Sequence, residues 1–345
     1  MSCCSLSNEA LKNLNGKMNF FSDLLQFAIN RLSKVTVILL LLGAFGIPGN
    51  ANAQNTSSPY QVPEISGTPL QELKIALDVG HSLASVGATS ATGRGEYEYN
   101  AETTRTIAGI LKAAGAEVVI INADGMMKNL YERGPTARQS GADCFISIHH
   151  DSVNNKYLDT WTYQGRELSF SDRFRGYSVF ASTKNMAPKS SRTLALNVGK
   201  ALYETGMRPT LHHNEPIQGE NRPLIDKRYG VYEFTDLVVL KTSPMPAILL
   251  ECGVIVHREE EQLVRKKEYQ EMIGKALVVA LSESMKSGAI STGDKKGIFS
   301  KQKPLFPFFR PKSDSTSTTS TSEQSPEKPE EKKNEPGVLN RLFKD

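Results

Sequence analysis

Between residues 73 and 286 the chain alternates short, nearly unbroken apolar runs with longer stretches whose apolar residues recur at helical spacing. Residues 73–78, 117–121, 144–149, 176–181, 237–240 and 247–251 have the length and branched-aliphatic content of strands. Residues 101–114 predict an amphipathic helix that stops at Gly115, and residues 131–140 a polar helix. A third helix is expected over 190–205, with Ser190 or Ser191 as N-cap and Gly206 as the stop, and a long closing helix over 259–286. Strands that are apolar along their whole length are covered on both faces. Their alternation with helices predicts an α/β fold: a single three-layer domain with a mostly parallel twisted sheet and helices on both faces.

The ends of the chain follow other patterns. Lys34 precedes an apolar run over 35–47, Pro48-Gly49 breaks it, and Ala51-Asn52-Ala53 supplies a small-x-small site. This order is that of a secretory leader over residues 1–53, cleaved after Ala53. The run is shorter than the ~20 apolar residues of a bilayer-spanning helix, so no stable membrane span is expected after cleavage. Residues 54–72, with Pro59, Pro63 and Pro69, read as a linker, and residues 287–345, rich in Pro, Ser, Thr, Glu and Lys, as a disordered tail. The formal net charge of +4, with both signs interspersed, makes no case for nucleic acid as a partner. Of the four cysteines, Cys3 and Cys4 fall in the leader. Cys144 and Cys252 lie in apolar runs, which favours buried thiols, with one disulfide as the alternative. An exported protein without wall-anchoring repeats points to the periplasm rather than the extracellular space.

Candidate chemistry collects where strands end. His81 stands just past the first strand and leads into a small, Gly-rich stretch; His149 ends the strand over 144–149; Glu251 ends the strand over 247–251. In α/β sheets, ligands bind in the crevice beyond the carboxyl ends of the strands. A catalytic zinc takes about three His or carboxylate ligands and keeps one position open. His81 and His149 supply two. Spacing leaves the third open among Glu96, Glu98 and Glu102, with Glu251 free to act as a base. His150 is an alternative ligand to His149, but neighbouring strand residues face opposite ways, so only one of the pair can point at a metal. No His-Glu-x-x-His motif, phosphate loop or Gly-x-Ser-x-Gly elbow is present.

These motifs, in this order, resemble those of the zinc-dependent N-acetylmuramoyl-L-alanine amidases of the Amidase_3 family. The resemblance covers about residues 73–285, the span of the expected catalytic domain over 73–286. Asp78-Val79-Gly80-His81 is similar to the family's opening motif, Glu96-x-x-x-Asn100 to its second, Ser147-Ile148-His149-His150-Asp151 to its third, and Glu251-Cys252-Gly253-Val254 to the last. The chain departs from the family at Val79 (usually Pro), Ser82-Leu83 (usually a Gly pair), Asp151 (usually Asn) and Val254 (usually Phe). The resemblance implies one zinc per chain on His81, Glu96 and His149, with Glu251 as catalytic base and then acid. It also implies hydrolysis of the amide between N-acetylmuramic acid and L-alanine of peptidoglycan, and leaves room for an activator protein.

Two polar segments flank this set. Residues 154–175 form an aromatic and charged insertion that could bind glycan or act as a lid. Residues 211–230 carry His212, His213, Glu215, Glu220, Arg222 and Arg228. Arg222 and Arg228, together with Asn100, are candidate substrate contacts, since arginine pairs bidentately with carboxylates. His212 and His213 are a candidate pair for a second metal, and His257, at a charged helix start, reads as a surface residue. The competing functions are a zinc peptidase cutting within stem peptides and a non-catalytic peptidoglycan-binding protein.

Overall fold

The computed structural model describes residues 60–292. The leader over 1–53 and the tail beyond 292 lie outside them. The elements, in chain order, are β1 (Lys74–Val79), α1 (Glu96–Ala113), β2 (Glu117–Ile121), α2 (Leu130–Gln139), β3 (Cys144–Asp151), β4 (Asp159–Tyr163), β5 (Arg166–Phe170), β6 (Ser178–Ala181), α3 (Pro188–Glu204), β7 (Leu224–Asp226), β8 (Val231–Glu233), α4 (Val238–Lys241), β9 (Ala247–Val254), α5 (Arg258–Val264) and α6 (Lys267–Lys286). Seven strands form one sheet in the order β2-β1-β3-β9-β6-β8-β7, while β4 and β5 pair separately as a hairpin. The neighbours β2, β1, β3 and β9 are parallel, β6 is antiparallel to β9 and parallel to β8, and β7 is antiparallel to β8.

Side chains alternate between two cores with the period of two that a strand imposes. Ile75, Leu77, Ile146, Ile148, Ile248 and Leu250 join Leu111, Leu194, Val198, Ile273 and Leu277 of α1, α3 and α6. Ala76, Phe145, Ala247 and Leu249 join Ala137 of α2 and Val239 and Leu240 of α4 on the opposite face. The result is the expected three-layer α/β domain with a mostly parallel sheet. Among the described residues, no helix is long and apolar enough to cross a membrane.

Several elements differ from the sequence expectation, each for a local reason. Residues 237–240 are not a strand: Leu237 is the N-cap of α4 and residues 238–240 form its first turn, with Val239 and Leu240 buried in the second core. Helix α1 begins at Glu96 rather than near residue 101, and its buried face includes the polar residues Glu96, Asn100, Thr103 and Thr104. An apolar-periodicity pattern is blind to a helical face that buries polar groups. The helix over 259–286 is two helices, separated at Arg265 and Lys266. Glu260 and Glu261 lie in the first turn of α5, where the amides of Gly176 and Val254 hold Glu260, and Thr92 and Tyr99 hold Glu261. Neither Ser190 nor Ser191 caps α3. Ala187 occupies the cap position and Pro188 the first turn, while Ser191 donates to Asn185 and accepts from the amide of Ala247. In the segment expected as a linker, Leu70 is fully buried and Tyr60 and Ile65 pack against the core. Cys144 and Cys252 are both buried and free.

Candidate metal centre and cavity

The carboxyl end of β1 is fixed from beneath by a buried ion pair. Arg133 of α2 and Asp78 of β1 are both nearly inaccessible, with Nη1 3.1 Å from Oδ1, and Ser147 donates to the same carboxylate at 2.7 Å. The guanidinium also donates to the carbonyls of Val79, His81 and Met127. Asn122 adds donations to the carbonyls of Val79 at 2.8 Å and His81 at 2.7 Å. These contacts hold His81 in the left-handed region at φ 64°, which non-glycine residues seldom adopt. Its ring therefore turns out of the strand direction and over the sheet end.

The same period of two that built the cores sorts His149 from His150. His149 lies on the face of Phe145 and Ser147, and His150 on the opposite face toward α1. His149 Nδ1 is 2.9 Å from Glu96 Oε1, and His81 Nε2 is 2.9 Å from Glu96 Oε2. The two rings meet edge to face with centroids 4.9 Å apart. Glu96 is held on its other sides by the amides of Ala88 and His150 and by Asn100 Nδ2 at 3.0 Å. Two glycines make room. A Cβ on Gly80 would lie 2.4 Å from the His149 ring, and one on Gly87, at φ +79°, would lie 2.4 Å from Glu96 Oε2. The ligand atoms of His81, Glu96 and His149 all lie within 4.8 Å of one another, so two imidazole nitrogens and one carboxylate could hold a metal ion. That donor set suits zinc. Glu98 and Glu102, the other spacing candidates, instead pair with Arg94.

Charge follows from this packing. Burial raises the proton affinity of Glu96, but the two adjacent imidazoles outweigh it and hold the carboxyl well below the usual range. Burial lowers His81, yet Glu96 raises it further, for a net rise, whereas burial wins at His149 and lowers it. His150 is pushed down to about 3 by burial, so it is neutral; its Nδ1 is 2.8 Å from Asn100 Oδ1.

Glu251 stands directly across from His149 in the β3–β9 register. Its Oε2 is shielded from solvent and makes no hydrogen bond. Burial, then the charges of Asp151 and Glu96, push its carboxyl well above the usual range. His81, Glu96, His149 and Glu251 share one cavity of about 870 Å³, whose wall also includes Asp151, His213 and Arg222.

The remaining candidates separate. Asn100 is fully buried, with its amide engaged by Glu96, His150 and the carbonyl of Gly80, so it positions the centre and offers substrate nothing. Arg222 lines the cavity and stacks on Phe234 at 3.4 Å. Arg228 is not on the cavity wall; the β7–β8 turn carries it to Tyr203 of α3, 5.3 Å from the ring centroid. The insertion forms the β4–β5 hairpin. Its Trp161 donates to the carbonyl of Ala91 and packs on Tyr163 and Phe170, while Arg258 covers Phe170, so these aromatics are largely spent on one another. Only its first residues, including Asn154 and Lys156, reach the cavity. His257 is buried rather than exposed, and its Nδ1 accepts from the amides of Glu259 and Glu260 as the N-cap of α5. Sequence reasoning passed over this role because histidine is an uncommon cap.

The family model for N-acetylmuramoyl-L-alanine amidases matches residues 75–283, the span that holds the whole candidate centre. The chain is similar to the N-acetylmuramoyl-L-alanine amidase AmiA of Salmonella typhimurium, 23% identical over 231 residues, covering 64% of this chain and 79% of the relative. It is also similar to the uncharacterized protein YqiI of Bacillus subtilis, 26% identical over 210 residues, covering 61% and 84%. Among solved structures, that of the N-acetylmuramyl-L-alanine amidase Ami1 from Mycobacterium smegmatis shares the fold. It is 19% identical with a TM-score of 0.50, covering 64% of this chain and all of that one.

Proposed function

The chain belongs to the Amidase_3 family of N-acetylmuramoyl-L-alanine amidases, hydrolases of peptidoglycan, and from that premise we propose an exported zinc enzyme with its ion on His81, Glu96 and His149 and Glu251 as proton carrier. The bond cleaved is the amide joining the lactyl group of N-acetylmuramic acid to L-alanine. One observation carries this reading: a two-histidine, one-carboxylate cluster and an unpartnered carboxyl oxygen face the same cavity.

When bound, zinc supplies Lewis acidity that polarises a carbonyl and makes water a stronger acid. The chain's own residues do the rest. Glu96 brings the negative charge that offsets the cation, and Asn100 with the amides of Ala88 and His150 keeps that carboxylate from rotating. Arg133 and Asn122 hold the backbone of His81 so that its ring needs no reorganisation. Glu251 takes the proton of the attacking water and returns it to the leaving amine nitrogen. Its raised proton affinity suits a group that must hold a proton in mid-reaction, and its cross-strand position beside His149, on the same cavity as the proposed ligands, supports that role. Arg222, on the cavity wall, can receive a stem-peptide carboxylate. Export rests on the leader pattern over residues 1–53.

Digestion of purified peptidoglycan, with and without a metal chelator, tests the reading. The expected products are free stem peptides with a new L-alanine amino terminus, lost in chelator and restored by Zn2+. New ends between two amino acids would make the protein a peptidase, release of L-alanine ends that persists in chelator would remove zinc from the mechanism, and intact peptidoglycan would leave a binding protein.

A further inference from the structure

Two residues beyond His149 on β3 lies a second carboxylate flanked by two imidazoles. Asp151, at the end of β3, is nearly buried, and its Oδ2 is 2.8 Å from His213 Nε2 and 3.5 Å from His212 Nε2. The two histidines sit on a single 3-10 turn, His212–Asn214, with ring centroids 4.0 Å apart. The ligand atoms of the three residues lie within 4.8 Å of one another.

Hydrogen bonding on the outer side of each ring decides what faces inward. His213 Nδ1 is 2.9 Å from Glu220 Oε2, and a carboxylate can only accept, so Nδ1 carries the proton. His212 Nδ1 is 2.8 Å from Thr210 Oγ1. His213 Nε2 hydrogen-bonds Asp151 Oδ2 at 2.8 Å, and the two carboxylates flanking the ring outweigh burial and raise its proton affinity, so a metal ion here would take the place of a bridging proton. His212 is 1% exposed and its Nε2 makes no hydrogen bond. This buried, unsatisfied nitrogen lies 3.5 Å from Asp151 Oδ2, and a metal cation among the three residues would satisfy it. Metal-ligating histidines characteristically donate their outer N–H to a carboxylate or another fixed oxygen, as Glu220 and Thr210 are placed to accept here.

We propose that Asp151, His212 and His213 form a second metal site for a divalent ion of the zinc class, distinct from the cluster on His81, Glu96 and His149. The donors are again two imidazole nitrogens and one carboxylate oxygen, a set that suits zinc. Asp151 and His213 line the same cavity as the first cluster. The ion ties residues 211–222, which carry Arg222, to the end of β3, and so fixes that part of the cavity wall. This site does not depend on the reaction proposed above.

Metal-free protein titrated with Zn2+ by calorimetry, with amide hydrogen exchange followed over residues 211–222, tests it. The expected result is two equivalents per chain, with exchange across 211–222 slowed at saturation. Asp151→Asn, which keeps the side chain's size, is expected to bind one equivalent and to lose that protection; His212→Gln repeats the test from the loop side. The proposal falls if Zn2+ leaves exchange over 211–222 unchanged in the wild-type chain, however many equivalents bind, or if both variants keep two equivalents. A single equivalent that protects 211–222 would instead support this site and count against the cluster on His81, Glu96 and His149.

Discussion

The two clusters have the same composition and opposite construction. At the first, the carboxylate is the fixed part: Glu96 lies on the opening turn of α1, and two backbone amides and Asn100 hold it in place. Its histidines reach it from two adjacent parallel strands, one at 2.9 Å from each oxygen. At the second, the histidines are the fixed part. Thr210 and Glu220 hold their outer nitrogens, and both come from one loop that returns to β3 some sixty residues after it ends. Glu251 lines the same cavity as both clusters, and burial, then their two carboxylates, raise its proton affinity. A site built on the ends of regular elements inherits its geometry from the sheet, while a site built on a loop must bring its own supports. The difference predicts that the first centre will weaken without collapsing when one outer contact is removed, and that the second will fail with its loop.

The strongest way to divide the two is Glu251→Gln. Turnover on peptidoglycan is expected to fall ~10²- to 10⁴-fold, the range for loss of a general acid-base group, while bound zinc measured by elemental analysis stays at the wild-type level. A variant with near wild-type turnover would take Glu251 out of the reaction. Next in size is Arg133→Met, which strands Asp78 as a buried, unpaired charge. Denaturant unfolding should show a loss of about 3–5 kcal/mol, because Arg133 is 1% exposed and Asp78 fully buried. The same variant leaves the His81 carbonyl held by Asn122 alone, so zinc affinity at the first cluster drops while contacts around His213 are untouched. A change below 1 kcal/mol would show that this ion pair does not brace the centre. The smallest effect is expected from Asn100→Ala. Losing an outer partner of a ligand typically costs ~10- to 100-fold in metal affinity, here confined to the first cluster. Equal weakening of zinc binding in the 211–222 loop would mean that the two clusters are one coupled unit.

Much of the first cluster could be seen in the chain before it was folded. Apolar runs at 73–78, 144–149 and 247–251 mark three central strands, and polar residues of the right chemistry stand at their carboxyl ends. Glu96 is different: spacing left Glu98 and Glu102 equally open, and only the resemblance to a family motif chose among them. The helix start that would have singled it out was hidden, because its inward face is polar and carries no apolar period. Asn100 is legible as the partner in Glu96-x-x-x-Asn100, but sequence cannot tell a buried amide that braces the centre from an exposed one that meets substrate. The second cluster was reduced to an adjacent histidine pair. Asp151 belongs with that pair only because a bulge between His149 and Asp151 ends the regular β3–β9 register where the 211–222 loop arrives.

What the sequence determined by itself was the layered α/β sheet and the strands that end in His149 and Glu251, because a strand's period and its burial are local properties of a few neighbouring residues. What only the tertiary structure decided was which polar groups meet. Asp78 with Arg133, Glu96 with both His81 and His149, and Asp151 with His212 and His213 are contacts between distant parts of the chain. Their geometry depends on strand order and loop return, and neither is written in any one stretch of sequence.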